Sequence, residues 1–367
     1  MTVERDIARF ALPFAAGAAL FTYIPHSFTI HQATVYPVIA VFTALLIHPV
    51  HKKMSNRTLW CLIIALGLTC GMLSALTSGF IYPRVVGTRA GLLENAGLFK
   101  GVLKGHIDSI PFHDRSSNAL ISALVTGDKS MLPQKTTDAF RASGAAHILA
   151  LSGLHLGIIY GILKSLLSIG GHKFFTRAVQ SLLIVVSCGF YTLATGAGPS
   201  IIRAFLFILL GESASLSGRL RNTGSILWSA LLIQIIFNPL SVRSVSFQLS
   251  YAAMVGIAYI FPYLRNFWPE ENEGYARKGL KWIWNSAALS IACQITTAPV
   301  AWIYFGTLPS YFILTNLISL PLTSLIIPTS LAIVLLNSMN LCPPLCIRAI
   351  ELLIKVLTSS LETIASL

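Results

Sequence analysis

Apolar positions along this chain come in long unbroken blocks, not in the alternation of a half-buried strand or the single stripe of a surface helix. Blocks fall near residues 8–25, 33–50, 59–81, 145–167, 178–196, 199–216, 224–237, 244–264, 282–305, 311–336 and 346–366. A hydrocarbon core about 30 Å thick is crossed by roughly 20 apolar residues in α-helix, which keeps every backbone hydrogen bond inside the segment. The pattern predicts an all-α polytopic membrane bundle of about eleven spans, within a range of nine to twelve, with broken or re-entrant helices where proline interrupts a block.

Composition agrees. Hydrophobic residues make up 54% of the 367 and charged residues 11%, at a mean hydropathy of +0.73. A soluble domain carries about 25% charged residues, so a water-facing surface cannot be built from this chain. The six cysteines form no CxxC pair and read as apolar filler, and no cofactor is expected. The first block follows Arg5 and Arg9 as a signal sequence would, but further spans follow and it reads as a membrane helix.

Charge placement sets the orientation. With a cytoplasmic N-terminus, the inner loops hold Lys52, Lys53, Arg57, Lys173, Arg177, Arg219, Arg221, Arg265, Arg277, Lys278, Lys281 and Arg348. Outer loops 26–32, 197–198 and 306–310 hold no Lys or Arg, and 238–243 holds only Arg243. This is the positive-inside bias of a multi-pass plasma-membrane protein.

Three regions result: an N-terminal three-span region (1–81), an outer basic segment (82–144) and a transmembrane domain (145–367). In the outer segment, "GLLENAGLFKGVLKGHI" sets Leu92, Ala96, Phe99 and Leu103 at helical spacing, which predicts an amphipathic helix on the membrane surface. "QKTTDAFRAS" predicts a second. Lys100, Lys104, Arg115, Lys129, Lys135 and Arg141 are either ordinary solvated charges or a collar attracting an anionic polymer.

Candidate chemistry centres on "GAAHILALSGLHLGIIYG", residues 144–161. Gly153, Gly157 and Gly161 form a GxxxGxxxG ridge, expected to dock this helix on a neighbour and turn Ser152 and His155 the opposite way. A polar pair at this depth is a catalytic dyad, a metal site, the wall of a polar path, or a buried pair bonded to a neighbouring helix. No acid lies nearby to orient the imidazole, and the eight-residue separation of His147 and His155 is no chelating spacing, so neither enzyme nor metal site is expected.

The same character recurs in later spans. Arg203 sits in an apolar run after Gly-Pro; Gln248 and Ser250 follow Phe247; Gln294 precedes Pro299; Asn316 precedes two prolines. Together they are expected to converge from interrupted helices on one wet interior. Arg203, with no acid in its immediate stretch, would be available to an anion.

"ALVTGDKSMLP", "FRASGAAHILALSGLHLG", "GPSIIRAFL", "NPLSVRSVSFQLSYAAMVG" and "CQITTAPVAWIYFGTLPSYFILTNLISLPL" occur in an order that resembles the competence domain of ComEC-type proteins, over roughly residues 115–335. The resemblance implies a channel for single-stranded DNA in bacterial uptake, and places its pattern on Asp128, His147, Ser152, His155, Arg203, Phe247, Gln248, Ser250, Gln294 and Asn316. It also implies a separate DNA receptor, a cytoplasmic ATPase and a nuclease as partners, and allows a homo-oligomer.

Two departures stand out. The roughly 35 residues between the third span and "SSNALISALVTGD" are too few for a five-stranded oligonucleotide-binding barrel, and the HxHxDH motif of a metallo-β-lactamase-like domain does not occur. No GxxxxGK[ST] loop occurs either. The alternatives are a secondary transporter of a small anionic solute, or a reduced, non-conducting assembly partner.

Overall fold

The structure is a computed structural model that describes residues 2–23, 63, 66–68, 70–71, 97–168, 174–218, 222–268 and 275–367. The expected span 33–50, most of 59–81, Leu92, Ala96 and the loop cations Lys52, Lys53, Arg57, Lys173, Arg219 and Arg221 lie outside the described residues.

Every described element is helical. In chain order they are α1 (Thr2–Tyr23), α2 (97–108), α3 (Arg115–Thr126), α4 (Gln134–Ala142), α5 (Ala146–Leu149), α6 (Gly153–Leu167), α7 (Phe174–Ala194), α8 (Pro199–Leu216) and α9 (Thr223–Phe237). A 3₁₀ turn (Pro239–Arg243) leads into α10 (Val245–Arg265), followed by α11 (Tyr275–Phe305), α12 (Phe312–Ser338) and α13 (Pro344–Ala365).

Local chemistry sets the boundaries. Asp114 caps α3 by accepting from the Ser116 N–H at 2.9 Å, and Gly127 ends it at φ 73°, where a side chain is disfavoured. Asn222 caps α9 through the N–H groups of Gly224 and Ser225. Gly196 and Ala197, both at positive φ, close the tight turn that returns α7 into α8, whose first residue is Pro199.

Among the described residues, five helices are long and apolar enough to cross a bilayer: Phe175–Ala194, Pro199–Leu216, Val245–Arg265, Lys278–Phe305 and Phe312–Ser338. They fall on the expected spans 178–196, 199–216, 244–264, 282–305 and 311–336. Gly153–Leu167 and Thr223–Phe237 are apolar but shorter. The expected count of eleven is not reached among the described residues.

Three expectations change. The block 346–366 becomes α13, which carries Arg348, Glu351, Lys355 and Glu362 and is not among the five. It buries Ile347, Ile350, Ile354, Leu357, Leu361 and Ile364 along one face. Within the outer segment, α3 is a core element: nine of its 12 residues are buried, and it packs on α12 and α13. The prolines do not break their helices, since α11 runs through Pro299 and α12 through Pro321 and Pro328. Interruptions fall instead at residues 150–152, at the 3₁₀ turn, and at a π-turn over Gly256–Ile260 inside α10.

Buried apolar side chains form three clusters. The largest joins Ile107 to Leu120, Leu124, Phe140, Ile148, Ile326, Ile354 and Leu357, from α2 through α5 with α12 and α13. A second joins α1, α9 and α10 through Phe14, Leu227, Trp228, Phe247 and Tyr251. A third joins α6, α7 and α8 through Leu156, Ile184, Cys188 and Ile201. Lipid offers no hydrophobic drive to bring helices together, so fit and polar contacts decide these seams.

Candidate conduit lining

The break between α5 and α6 shapes the first locus. Ala150 and Ser152 are extended, so Ser152 stands at the N-terminus of α6 with its backbone N–H free of the helix ladder. That N–H donates to His155 Nδ1 at 3.2 Å, and Ser152 Oγ lies 3.1 Å from the same nitrogen. An N–H can only donate, so Nδ1 is the bare nitrogen and the ring proton of the neutral imidazole sits on Nε2. His155 is 0% exposed and Nε2 has no partner. The Ser152–His155 pair is therefore a helix cap, not a nucleophile beside a free base. His147 carries the opposite tautomer, since its Nδ1 lies 3.1 Å from the Gly144 carbonyl, and it is exposed.

The glycine ridge does not do what its spacing predicted. Gly153 approaches the Ala204 Cβ of α8, but Gly157 and Gly161 are exposed and have no neighbour within 4 Å of the Cβ position among the described residues. α6 docks through the face of His155 and Leu156, so the imidazole points into protein. Close glycine packing occurs elsewhere: Gly67 meets Phe10 and Pro13 of α1, Gly71 meets Phe14, and Gly256 of α10 meets Ala292 and Thr296 of α11.

The second locus surrounds Arg203, which is 3% exposed. Its Nη2 donates to the Ser246 carbonyl at 2.9 Å and to Ser250 Oγ. The guanidinium sits 5.7 Å from the Phe247 ring centroid and 5.6 Å from that of Tyr251. Nη1 has no partner, and no carboxylate is paired with this charge among the described residues. Phe247, Ser250 and Arg203 thus come together, whereas Gln248 turns away to donate to the Val242 carbonyl at 2.9 Å. The aromatic partner Tyr251 donates to Gln234 Oε1 at 3.1 Å.

The third locus runs along α12. Asn316 Oδ1, Ser319 Oγ and Thr323 Oγ1 are buried without partners, and their spacing of three and four places them on one face. Thr315 donates to the Ser143 carbonyl at 2.7 Å, fixing the start of α12 against the end of α4. Gln294, on α11, is half-buried and makes no hydrogen bond among the described residues. α6 packs against both α8 and α12, so it stands between the second and third loci.

The outer cations are partly neutralised. Lys104 Nζ lies 2.6 Å from Asp128 Oδ2, Lys135 pairs with Glu362 at 3.2 Å, and Arg141 with Asp138 at 3.7 Å. Asp128 therefore clasps α2 to the turn after α3, its carboxyl held well below the usual range by the Lys104 ammonium and the Ser130 N–H. Lys100, Arg115 and Lys129 have no ion-pair partner among the described residues. Along α2, Phe99 stacks edge-on against Phe190 at 4.8 Å and Leu103 packs on the largest cluster, while Leu98 and Val102 stay exposed.

Sequence reasoning passed over two polar groupings. Glu4 accepts from Asn222 Nδ2 and the Tyr259 hydroxyl, both at 2.8 Å, tying α1, α9 and α10 at one end. Glu212 accepts from Tyr160, Lys164 and Ser181 where α6, α7 and α8 meet. A lone acid in an apolar block was the available signal for Glu212.

The chain is 33% identical to ComE operon protein 3 of Bacillus subtilis over 138 residues, 37% of this chain and 17% of that protein. It is 26% identical to Recombination protein 2 of Haemophilus influenzae over 233 residues (60% and 29%). It is 26% identical to Competence protein ComA of Neisseria gonorrhoeae over 207 residues (55% and 28%). The matched stretch covers less than a third of each of these relatives. No solved structure matches the chain. The competence protein family model matches residues 124–367, from the last turn of α3 through α13 and so across all three loci; the chain belongs to the competence protein family.

Proposed function

We propose that this chain is the part of a DNA-uptake system in the bacterial inner membrane that passes single-stranded DNA into the cytoplasm. The carrying observation is that, of the seven buried side-chain polar atoms without partners among the described residues, five lie on α6, α8 and α12: His155 Nε2, Arg203 Nη1, and the oxygens of Asn316, Ser319 and Thr323, the others being those of Asn238 and Asn285. Leaving such a group dry costs about 1–3 kcal/mol, more for a charge, so three neighbouring loci holding five are built to be wetted or filled. Neutral hydrogen-bonding groups with one fixed cation lower the barrier to a polyanion without trapping it. Phe247 and Tyr251 beside Arg203 add ring faces for bases of any sequence. Lys100, Arg115 and Lys129 gather the strand from outside, while a separate receptor delivers it, a nuclease supplies the single strand and a cytoplasmic ATPase draws it in.

A second reading, a gated site for a small anionic solute, draws on the enclosure of Arg203, which is 3% exposed and paired with no carboxylate among the described residues. In the DNA reading this conformation is shut, and α6 moves against α8 and α12 about the break at 150–152. Replacing Arg203 with Gln and measuring uptake of labelled DNA at matched membrane levels tests the reading. At least a tenfold fall is expected. Unchanged uptake would remove the charge from the mechanism, and normal transformation in a deletion strain would remove the uptake role.

A further inference from the structure

We propose that the charged edge of α13 lines a water-filled groove along the membrane domain, in which Lys355 and Arg348 receive the phosphates of a single strand. The ligand rests on the DNA reading and gives the strand a cationic station away from Arg203. The groove itself does not rest on it.

α13 returns along a membrane-spanning neighbour. Its 22 residues rise about 33 Å, and the short turn 339–343 sets it antiparallel to α12. Ile350, Ile354, Leu357 and Leu361 share one cluster with Ile326, Ile327 and Ile333 of α12. Near the far end of α13, Glu362 meets Lys135 of α4 at 3.2 Å. Ser143, which follows α4, accepts from Thr315 at the start of α12. α13 thus runs from the last turn of α12 back towards its first.

Lys355 lies near the middle of that run. It stands about 15 Å from either end of the helix, farther than a snorkelling ammonium reaches. Lys355 and Arg348 are both exposed, and neither has an ion-pair partner among the described residues. Glu351, one turn from Lys355, is turned to His113 instead: it accepts from the backbone N–H at 2.5 Å and lies 3.1 Å from Nδ1. A charge at this depth is costly against lipid and is kept where it meets water or an anion.

The exposed side of α13 is divided accordingly. At 100° per residue, Glu351, Glu362, Lys355, Arg348 and Ser359 fall within about 80° of one another. Leu345, Leu352 and Val356, all exposed, occupy the adjoining sector and suit lipid. With Glu362 met by Lys135, the polar edge keeps two unpaired cations to one carboxylate among the described residues, a balance that favours an anion. The two cations stand about 10 Å apart along the helix, a spacing that suits a strand with one phosphate per nucleotide better than one small ion.

The test uses the full chain in lipid nanodiscs, which leave both faces open to water. A membrane-impermeant maleimide is added, and labelling is read above that of the native cysteines in wild type. Lys355→Cys and Val356→Cys share one depth but point about 100° apart. Lys355→Cys should label at least tenfold faster. Equal rates overturn the groove, because α13 is then wet all round or dry all round. Ser359→Cys keeps both cations and reads the ligand: a short single-stranded oligonucleotide should slow its labelling at least threefold. Adding Lys355→Gln should abolish that protection. No protection, or protection that survives Lys355→Gln, overturns Lys355 as a phosphate station. Equal protection by inorganic phosphate overturns the strand as its ligand. All three positions are exposed, so the packed face of α13 stays intact in each variant. Normal transformation in a deletion strain would defeat the DNA reading without altering the ratio of Lys355→Cys to Val356→Cys labelling.

Discussion

His155 separates two jobs on one ring. Nδ1 holds the Ser152 N–H and so caps α6, while Nε2–H faces a buried space with nothing to receive it. Asn places an acceptor oxygen where Nδ1 lies and has no counterpart of Nε2; Gln does the reverse. His155→Asn should therefore keep the cap, losing under about 1 kcal/mol of stability, yet depress DNA uptake. His155→Gln should lose the cap and destabilise by about 1 kcal/mol. Equal uptake in wild type and His155→Asn would show that Nε2 serves nothing beyond packing. The Lys104–Asp128 clasp carries a pH signature. The Asp128 pKa is lowered in the folded state, so its contribution is present above the ordinary carboxylate value of about 3.9 and is lost as pH falls below it. Asp128→Asn should lower the thermal midpoint at neutral pH, with the gap to wild type closing below that value. A gap independent of pH would assign the effect to geometry and not to charge.

Glycine spacing shows what an element's sequence can and cannot tell. GxxxG spacing is equally clear in Gly153–Gly157–Gly161, in Gly97–Gly101–Gly105 and in Gly67–Gly71, but of these only Gly67–Gly71 is packed along its length among the described residues. A branched side chain at Gly71 would drive into the backbone of Phe14, so Gly71→Val should cost about 1–3 kcal/mol or prevent accumulation. Gly157→Val should change stability by less than about 0.5 kcal/mol, because nothing stands there to be displaced. Thermal unfolding of the two variants checks both, and the opposite ranking would restore the ridge as a docking seam. The same limit governs the spans. Blocks such as 311–336 were legible because crossing a bilayer is a local property of about 20 residues. The buried face of α13 was not legible because a block average hides that Ile347, Ile350, Ile354, Leu357, Leu361 and Ile364 share it, while Leu345 and Leu352 are exposed and Glu351 and Glu362 pair with His113 and Lys135. The burial of α3 was not legible because its 12 residues are too few for a span and only its packing on α12 and α13 makes it core. The prolines misled because a neighbour or ordered water can satisfy the carbonyls freed at Ile295, Leu317 and Ser324, leaving helix geometry intact.

At the scale of the molecule, the polar residues picked out from sequence do not meet at one point. Arg203, Phe247 and Ser250 form one locus, His155 another and Asn316 belongs to a third, with α6 packed against both flanking helices. Type and depth were legible because an ionisable or amide group in an apolar block is costly wherever it lies; direction was not, because it depends on which helix is the neighbour. Whether the α12 face is wet during transport has a test that separates function from fold. Ser319 and Thr323 are fully buried with hydroxyls that bond nothing, so in the shut state they only cost stability. Ser319→Ala with Thr323→Val keeps the volume nearly unchanged and removes both oxygens. If those oxygens exist to meet water or a passing strand, the double variant should be about 1 kcal/mol more stable and at least tenfold poorer in uptake. Gain in one and loss in the other is what a packing role cannot produce. A double variant that loses stability and keeps uptake would make the α12 face structural and leave Arg203 to carry the anion alone.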